Sequence, residues 1–219
     1  MSKRNKKLKP VRWVLLLILL IIIVGFRLVE EIDKDIAPDE RFIITRVLGG
    51  DTVELKGGDK LRLLSIDTPE KGEPLYNEAT QFLSDIALGN SAHIEYAHTR
   101  RDRYGRLLGY LYVDSIFVNK VILENGLGYL YLFKDTDIGQ PETEILLKAQ
   151  RQAIENSAGL WSLPREYEKY YVARVGSYRF HRPGCSSLKN ESNENNSRIF
   201  EKRNEALWEG LSPCRRCSP

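Results

Sequence analysis

The sequence predicts an α+β fold that is mainly β, and three observations carry this prediction. Short apolar runs with strand-like alternation follow one another from Arg41 onward, separated by glycines and other turn residues. Segments with a helical spacing of apolar residues lie between and after these runs. The chain has 219 residues, of which 42% are hydrophobic, and a formal net charge of +3, a balance typical of a globular protein and unlike a disordered chain.

The predicted elements have a recognisable order. Five strands are predicted, over residues 41–48, 51–56, 60–66, 92–98 and 106–113, and three helices, over residues 74–88, 116–126 and 141–159. Gly57 and Gly58 predict a hairpin turn between the second and third strands, because glycine accepts positive φ without steric cost. Five strands with a helix between the third and fourth are typical of an OB-type barrel.

An apolar segment over residues 11–29 follows a basic tail. No charged residue lies between Arg12 and Arg27, and as a helix the segment would extend roughly 28 Å, enough to span a bilayer core. The sequence therefore predicts a tail and transmembrane anchor over residues 1–29 and a polar linker over residues 30–40. Lysine and arginine favour the cytoplasmic side, so the rest of the chain is expected outside the cell membrane. A cleaved secretory signal, which would release the protein, is the alternative.

Four charged residues stand in or beside the predicted strands, at positions where a strand-forming pattern favours neutral residues. Asp51 and Asp67, with a backbone carbonyl, form a set of hard oxygen ligands that suits Ca²⁺. Arg62 and Arg106 can grip a phosphate from two sides, because the guanidinium fork matches phosphate oxygens. Taken singly, each aspartate is typical of a turn and each arginine of a solvated loop.

The hairpin turn sets a geometric condition on this grouping. Pairing about Gly57 and Gly58 places Asp51 opposite Leu64, and Asp67 then lies three residues further on, roughly 10 Å away. Strict alternation also separates Arg62 from Asp67. If these side chains share one site, the third strand must bend, bulge or end between Leu64 and Ile66.

From about Arg41 to Trp161 the chain resembles the staphylococcal nuclease (thermonuclease) family, which indicates a barrel domain over residues 41–163. The motifs that carry the resemblance are Asp51-Thr52-Val53, Arg62-Leu63-Leu64, Asp67-Thr68-Pro69-Glu70, Asp102 with Tyr104-Gly105-Arg106, and Gly159-Leu160-Trp161. The resemblance implies a Ca²⁺-dependent hydrolase, an endonuclease or phosphodiesterase acting on DNA, RNA or both. A barrel that binds nucleic acid or protein in a membrane surface assembly without catalysis is the alternative.

The resemblance also implies a role for each matching residue. The implied Ca²⁺ ligands are Asp51, Asp67 and the carbonyl of Thr68; the implied catalytic residues are Arg62, Arg106 and the general base Glu70; the implied substrate contacts are Tyr104, Tyr131 and Phe133. Two departures are visible. Gly49-Gly50-Asp51 stands where members often have Asp-Gly-Asp, which removes an acid near the metal, and Phe133 stands in place of a tyrosine and cannot donate a hydrogen bond.

The last segment, residues 170–219, contains all 3 cysteines and is too small to be well stabilised by its own core. His181 and Cys185, followed by Cys214 and Cys217, have spacings that suit a tetrahedral structural Zn²⁺. A disulfide between Cys214 and Cys217 is the alternative. The segment resembles the small Ada-type metal-binding module, and Arg215 and Arg216 in its last turn could add contacts to nucleic acid.

Overall fold

The computed structural model describes residues 18, 20, 40–133, 140–165, 167–188 and 196–219. The chain divides into two units, Met1–Glu40 and Arg41–Pro219. In the first unit, Ile18 and Leu20 are helical. Within the described ranges, no helix combines the length and apolar character needed to cross a membrane. Apart from Ile18 and Leu20, the predicted anchor lies outside the described residues.

The second unit is built around a closed barrel. The strands of its first part are β1 Arg41–Gly49, β2 Thr52–Leu55, β3 Lys60–Leu63, β4 Ile66–Asp67, β5 Ser91–Arg101, β6 Leu107–Val113, β7 Ile116–Phe117 and β8 Tyr129–Leu130. The sheet order is β3-β2-β1-β5-β6, and the barrel closes because β3 also pairs with β6 in parallel. Strand β7 pairs with β6, and β4 pairs with β8. The predicted five-stranded OB-type barrel is confirmed.

Three α-helices flank the barrel strands in the described part of residues 40–165: α1 Tyr76–Ala87, α2 Val118–Glu124 and α3 Pro141–Glu155. Each is shorter than predicted, for a local reason. Leu75 has a left-handed φ of 67°, so α1 begins only at Tyr76. Ile116–Phe117 pairs with β6 as a strand, which delays the start of α2. Ser157, with a φ of 51°, follows the end of α3.

The third barrel strand ends close to Leu64, as a site shared by Asp51, Arg62 and Asp67 requires. Strand β3 stops at Leu63, and Ser65 takes a left-handed φ of 58° before Ile66 and Asp67 pair with β8. The predicted pairing of β2 with β3 is wrong by one residue. Asp51 lies opposite Leu63 instead of Leu64, and the Leu63 amide donates to the Asp51 carbonyl at 2.8 Å. The Leu55 amide donates to the Asp59 carbonyl at 2.8 Å, which leaves a loop of three residues where the prediction assumed two.

A buried amide stabilises the bend after β3. Asn119 of α2 is fully buried; its side-chain nitrogen donates to the Leu64 carbonyl at 2.8 Å and its oxygen accepts the Leu111 amide at 3.0 Å. These two bonds satisfy backbone groups that the strand ladder leaves unpaired, which matters because an unpaired buried group costs ~1–3 kcal/mol. The barrel interior around them is apolar, with Ile44 and Leu61 among its fully buried side chains.

Residues after 170 form a small module with its own sheet. Its elements are β9 Tyr171–Arg174, β10 Arg179–His181, β11 Ser197–Phe200, α4 Arg203–Trp208 and β12 Ser212–Pro213, with the sheet order β11-β9-β10-β12. Strand β12 runs parallel to β10, whereas β9 is antiparallel to both of its neighbours. A short 3₁₀ turn, Ser186–Leu188, follows Cys185.

The module packs directly against the barrel domain. Gln150 of α3 is fully buried; its oxygen accepts the Leu130 amide at 2.7 Å, and its nitrogen donates to the Leu207 carbonyl at 2.7 Å. The Ser212 hydroxyl donates to the Leu130 carbonyl at 2.7 Å. Tyr129, Ile154 and Trp161 also pack on the apolar cluster of the module. These contacts give the module a fixed position beside β4 and β8, the strands that carry Asp67 and Tyr129.

Candidate active site

Two carboxylates converge at the end of the barrel. Asp51 immediately precedes β2, and Asp67 is the last residue of β4. The Arg62 guanidinium of β3 joins them, because its Nη2 atom lies 3.0 Å from Asp51 Oδ2 and 3.1 Å from Asp67 Oδ1. All three side chains are at most 16% exposed. The bend after β3 therefore brings together residues that strict strand alternation would have kept apart.

The backbone around Asp51 is closely packed. Asp51 accepts hydrogen bonds from the Thr68 amide at 3.2 Å and from the Thr52 hydroxyl at 2.8 Å. A Cβ atom at Gly50 would lie 2.7 Å from both Ala79 Cβ and Thr68 Oγ1. Only glycine permits the turn before Asp51 to approach Thr68 this closely.

The donor set fits a hard divalent cation. Both carboxylates contact the same guanidinium nitrogen, which shows that their oxygens are positioned to share one positive charge. Buried Thr68 lies directly beside them. Burial raises the pKa of Asp67, and the charge of Asp51 adds to this rise, while Arg215 and Arg62 oppose it. Neighbouring cations therefore favour the ionised form of Asp67, against the effect of its burial.

Glu70 lies on the wall of a cleft beside this cluster. The cleft has a volume of about 610 Å³, and Asp67, Thr68 and Glu70 line it on the barrel side. The Glu70 side chain is exposed, and its amide donates to Glu73 Oε2 at 2.8 Å. The structure thus places an accessible carboxylate three residues after Asp67, in the same cleft.

Arg106 is held in a separate cluster at the turn between β5 and β6. Its Nε lies 2.8 Å from Asp102 Oδ2, its Nη2 lies 2.7 Å from the same oxygen, and its amide donates to Asp102 Oδ1 at 3.0 Å. These bonds hold the pKa of Asp102 below its usual value, although burial acts to raise it. Leu108 pairs with Arg62 in the parallel β3–β6 ladder, so Arg106 lies two residues before the partner of Arg62.

The three predicted substrate contacts lie in two places. Tyr104 is 68% exposed, and the guanidiniums of Arg103 and Arg106 lie 4.8 and 5.5 Å from its ring centroid. Tyr131 and Phe133 follow β8 and contact each other edge to face at 5.3 Å. The binding of nucleotides by these rings stays a prediction.

The four predicted zinc ligands meet in the module. One ligand atom from each of His181, Cys185, Cys214 and Cys217 lies within 4.8 Å of all the others. The three cysteines are free thiols, so the alternative disulfide between Cys214 and Cys217 is not formed. The Arg182 amide donates to Cys217 Sγ at 3.3 Å, as backbone amides commonly do around a metal-bound thiolate.

The donor atoms of this cluster fit a metal ion. His181 Nδ1 is buried and has no hydrogen-bond partner among the described residues, which is unfavourable for a polar atom unless it binds something else. Burial, with the charges of Arg174 and Arg179, lowers the pKa of His181 and favours the neutral imidazole that metals bind.

One residue of the cleft was not predicted there from the sequence. Arg215, from the turn between the last two cysteines, hydrogen-bonds both carboxylate oxygens of Asp67, with its Nε 3.2 Å from Oδ2. Burial acts to lower the pKa of Arg215, but the bond to Asp67 raises it overall. The structure separates Arg215 from Arg216, whose Nη1 lies 3.4 Å from Ser186 Oγ and which does not line the cleft. No sequence spacing relates Arg215 to Asp67, which lies far away in the chain.

The fold and the site together define an OB-type barrel with a cluster of charged side chains at the end of its strands. Residues 60–163 match the family described as staphylococcal nuclease homologue. An uncharacterized endonuclease of Escherichia coli O157:H7 is 33% identical over 123 residues, which are 54% of this chain and 75% of that relative. The chain therefore belongs to the staphylococcal nuclease family, and it is a hydrolytic nuclease.

Two further relatives have names that agree with this membership. The micrococcal nuclease of Shigella flexneri is 26% identical over 149 residues, covering 63% of this chain and 82% of the relative. The thermonuclease of Staphylococcus hyicus is 27% identical over 135 residues, covering 58% of this chain and 78% of the relative. The family match includes Arg62, Asp67, Glu70 and Arg106, and it begins after Asp51.

Proposed function

We propose that this protein is a Ca²⁺-dependent phosphodiesterase that hydrolyses DNA, RNA or both at the cluster of Asp51, Asp67 and Arg62. The observation that carries the proposal is the convergence of both carboxylates on one guanidinium nitrogen, at 3.0 and 3.1 Å. Two acids held this close together, and largely buried, need a cation, and an arginine beside them suits a phosphate oxygen.

The residues divide the work of hydrolysis. Water attacks a phosphodiester poorly, so Glu70 accepts a proton from the attacking water as its oxygen bonds to phosphorus. Arg62 and Arg106 donate hydrogen bonds to the phosphate oxygens that gain charge in the transition state. Asp102 holds Arg106 in orientation for this task. The ester oxygen leaves as the old P–O bond breaks, and it takes up a proton from solvent water.

Asp51, Asp67 and the Thr68 carbonyl are the proposed ligands of Ca²⁺. When bound, Ca²⁺ would neutralise phosphate charge as a Lewis acid. The test is hydrolysis of labelled single- and double-stranded DNA and RNA by the full chain in detergent, with Ca²⁺ or with chelator. Hydrolysis that survives chelation would contradict the metal role, and nucleic-acid binding without hydrolysis would favour the non-catalytic alternative.

Replacing Gly49 with aspartate is expected to tighten Ca²⁺ binding. A Cβ atom at Gly49 has no neighbouring atom within 4 Å, and its backbone is not left-handed, so a side chain is accommodated. The substitution restores the first acid of the family's Asp-Gly-Asp pattern. Because added ligand charge tunes Ca²⁺ affinity, the half-saturating Ca²⁺ concentration for activity should fall about three- to tenfold. Gly49→Asn is the uncharged control, and an equal effect of both substitutions would refute the prediction.

We also propose that His181, Cys185, Cys214 and Cys217 hold a structural Zn²⁺. The meeting of their donor atoms within 4.8 Å supports this proposal. Cys185→Ser is expected to abolish stoichiometric zinc in the purified full chain and to lower its melting temperature, since metal binding contributes folding energy. Ser197→Ala changes an exposed serine of β11 in the same module and serves as the control. Zinc content unchanged in Cys185→Ser would refute the assignment.

The apolar segment over residues 11–29 supports a proposal about location. The chain would be a single-pass protein of the cell membrane with its N-terminus cytoplasmic and its nuclease unit outside. Intact cells expressing the protein should then degrade nucleic acid added to the medium, with the activity remaining on the cells. Activity in the cell-free medium would indicate signal cleavage, and activity only after lysis would contradict an outside location.

A further inference from the structure

We propose that Arg215 of the Cys/His module is a substrate-binding residue of the nuclease site, which holds a phosphate of the nucleic acid once a divalent cation is bound. This inference rests on the proposed function, because it assumes that Asp51 and Asp67 bind a cation and that the cleft receives a phosphodiester. It adds a third arginine, supplied by a part of the chain outside the family match over residues 60–163.

The first support is the position of the Arg215 guanidinium at the open side of the carboxylate cluster. It bonds Asp67 with Nε and Nη2, and it lies 4.9 Å from the centroid of the Tyr131 ring. The Arg215 side chain is 59% exposed, whereas Asp67 is 16% exposed. A ligand entering from solvent therefore meets Arg215 before it reaches Asp67.

The second support is that the cleft is a composite of barrel and module. Asp67, Thr68 and Glu70 line one side, and Cys214, Arg215 and Arg203 line the other. Arg203 is not accessible to a ligand in the cleft, since it is only 3% exposed and its Nε donates to the Pro219 carbonyl at 2.7 Å. Of these two module arginines, only Arg215 presents an exposed cationic head to the cleft.

The third support is the charge of the cluster. Asp51 and Asp67 carry two negative charges, and Arg62 and Arg215, which bond them, carry two positive charges. A divalent cation that takes the carboxylates deprives both guanidiniums of their partners and leaves the cluster positive. A phosphodiester, with one negative charge, then offsets part of this excess, because a guanidinium fork binds phosphate oxygens as it binds carboxylate oxygens. The Arg215 guanidinium thus releases the Asp67 carboxylate and binds a phosphate of the substrate.

The module holds Arg215 in place through its proposed metal ligands. Arg215 lies between Cys214 and Cys217 in a turn closed by the Ser218 amide, which donates to the Cys214 carbonyl at 2.8 Å. The Cys214 amide donates to the Phe180 carbonyl at 2.9 Å, which ties this turn to β10. A metal ion bound by the two cysteines would fix both ends of the turn that carries Arg215.

If Arg215 leaves Asp67 to bind the substrate, loss of Arg215 should weaken substrate binding and strengthen cation binding. A residue that only stabilises the fold would not produce these opposite effects. In Arg215→Ala, the KM for an oligonucleotide should rise about tenfold, because a charge-assisted phosphate contact is lost. The half-saturating Ca²⁺ concentration should fall about threefold, because a competing cation has left Asp67. Arg216→Ala removes the same charge from the same turn outside the cleft, and it should change either quantity no more than about twofold.

The measurements use the full chain in detergent, with zinc content and melting temperature recorded for each variant to verify the fold. A KM unchanged in Arg215→Ala, or a rise equal to that of Arg216→Ala, would overturn the proposal. Faster hydrolysis at saturating Ca²⁺ would also overturn it, since Arg215 would then block the site. If the unaltered protein does not hydrolyse nucleic acid, the proposed function fails. Binding of a phosphorothioate oligonucleotide in Ca²⁺ then tests the role of Arg215 separately. Equal affinity of Arg215→Ala and Arg216→Ala for this oligonucleotide would contradict that role.

Discussion

Glu70→Gln is expected to lower the kcat for nucleic-acid hydrolysis by ~10²–10⁴-fold while leaving substrate affinity largely intact, because general-base catalysis contributes an acceleration of that size. The amide keeps the shape of the side chain but cannot accept a proton from water. Glu70 is exposed in the cleft and follows Asp67 by three residues, so its replacement should leave the barrel core unaffected. Single-turnover hydrolysis and oligonucleotide binding, measured on the same preparation, separate the two quantities.

Glu78→Gln is the matched control for this experiment. Glu78 is an exposed carboxylate in the first turn of α1 and does not line the cleft, so its loss should change kcat little. An equal loss of turnover and of affinity in Glu70→Gln would indicate that Glu70 organises the site and does not act as the base. An unchanged kcat would exclude Glu70 from the chemical step.

Arg62→Lys is expected to lower kcat/KM by ~10²–10³-fold, because removing one donor to the transition-state charge has a cost of that order. Lysine keeps the positive charge but lacks the planar fork of arginine. In the structure, one guanidinium spans both carboxylates through Nη2 and also donates to the Leu63 carbonyl through Nη1 at 2.5 Å. A single ammonium group cannot make these contacts together, so the site loses its geometry although its charge is unchanged.

Steady-state kinetics and thermal melting of the variant measure both consequences. Arg46→Lys provides the control, since Arg46 is 67% exposed on β1 and pairs only loosely with Glu54 at 3.5 Å. That substitution should change neither kcat/KM nor the melting temperature appreciably. A kcat/KM for Arg62→Lys within a few fold of the unaltered protein would show that charge alone suffices at this position.

The cleft is formed by the barrel and the module together, so it depends on the fold of both. The barrel supplies Asp67, Thr68 and Glu70 to the cleft, whereas the module supplies Arg215 and packs against α3 through the Leu207 carbonyl and against β8 through Ser212. Loss of the proposed zinc site would therefore affect the cleft as well as the stability of the module. The cysteine variant proposed above should weaken substrate binding in the same direction as Arg215→Ala.

Local patterns in the sequence were sufficient to predict the five strands of the barrel and the three helices that flank it. Alternation of apolar residues and the glycines at 57 and 58, both with positive φ, depend on neighbours a few residues away. The residue types at positions 51, 62 and 67 also indicated cation and phosphate chemistry.

A local loop hydrogen bond, from the Leu55 amide to the Asp59 carbonyl, sets the β2–β3 register one residue away from the predicted one. Tertiary structure alone decided two further features: the left-handed turn at Ser65 that joins Asp67 to Asp51, and the arrival of Arg215 at Asp67. The physical reason is the range of the interactions. Buried Asn119 supports the bend, and packing of the module against the barrel joins residues that are 148 positions apart. No periodicity along the chain encodes contacts of this kind.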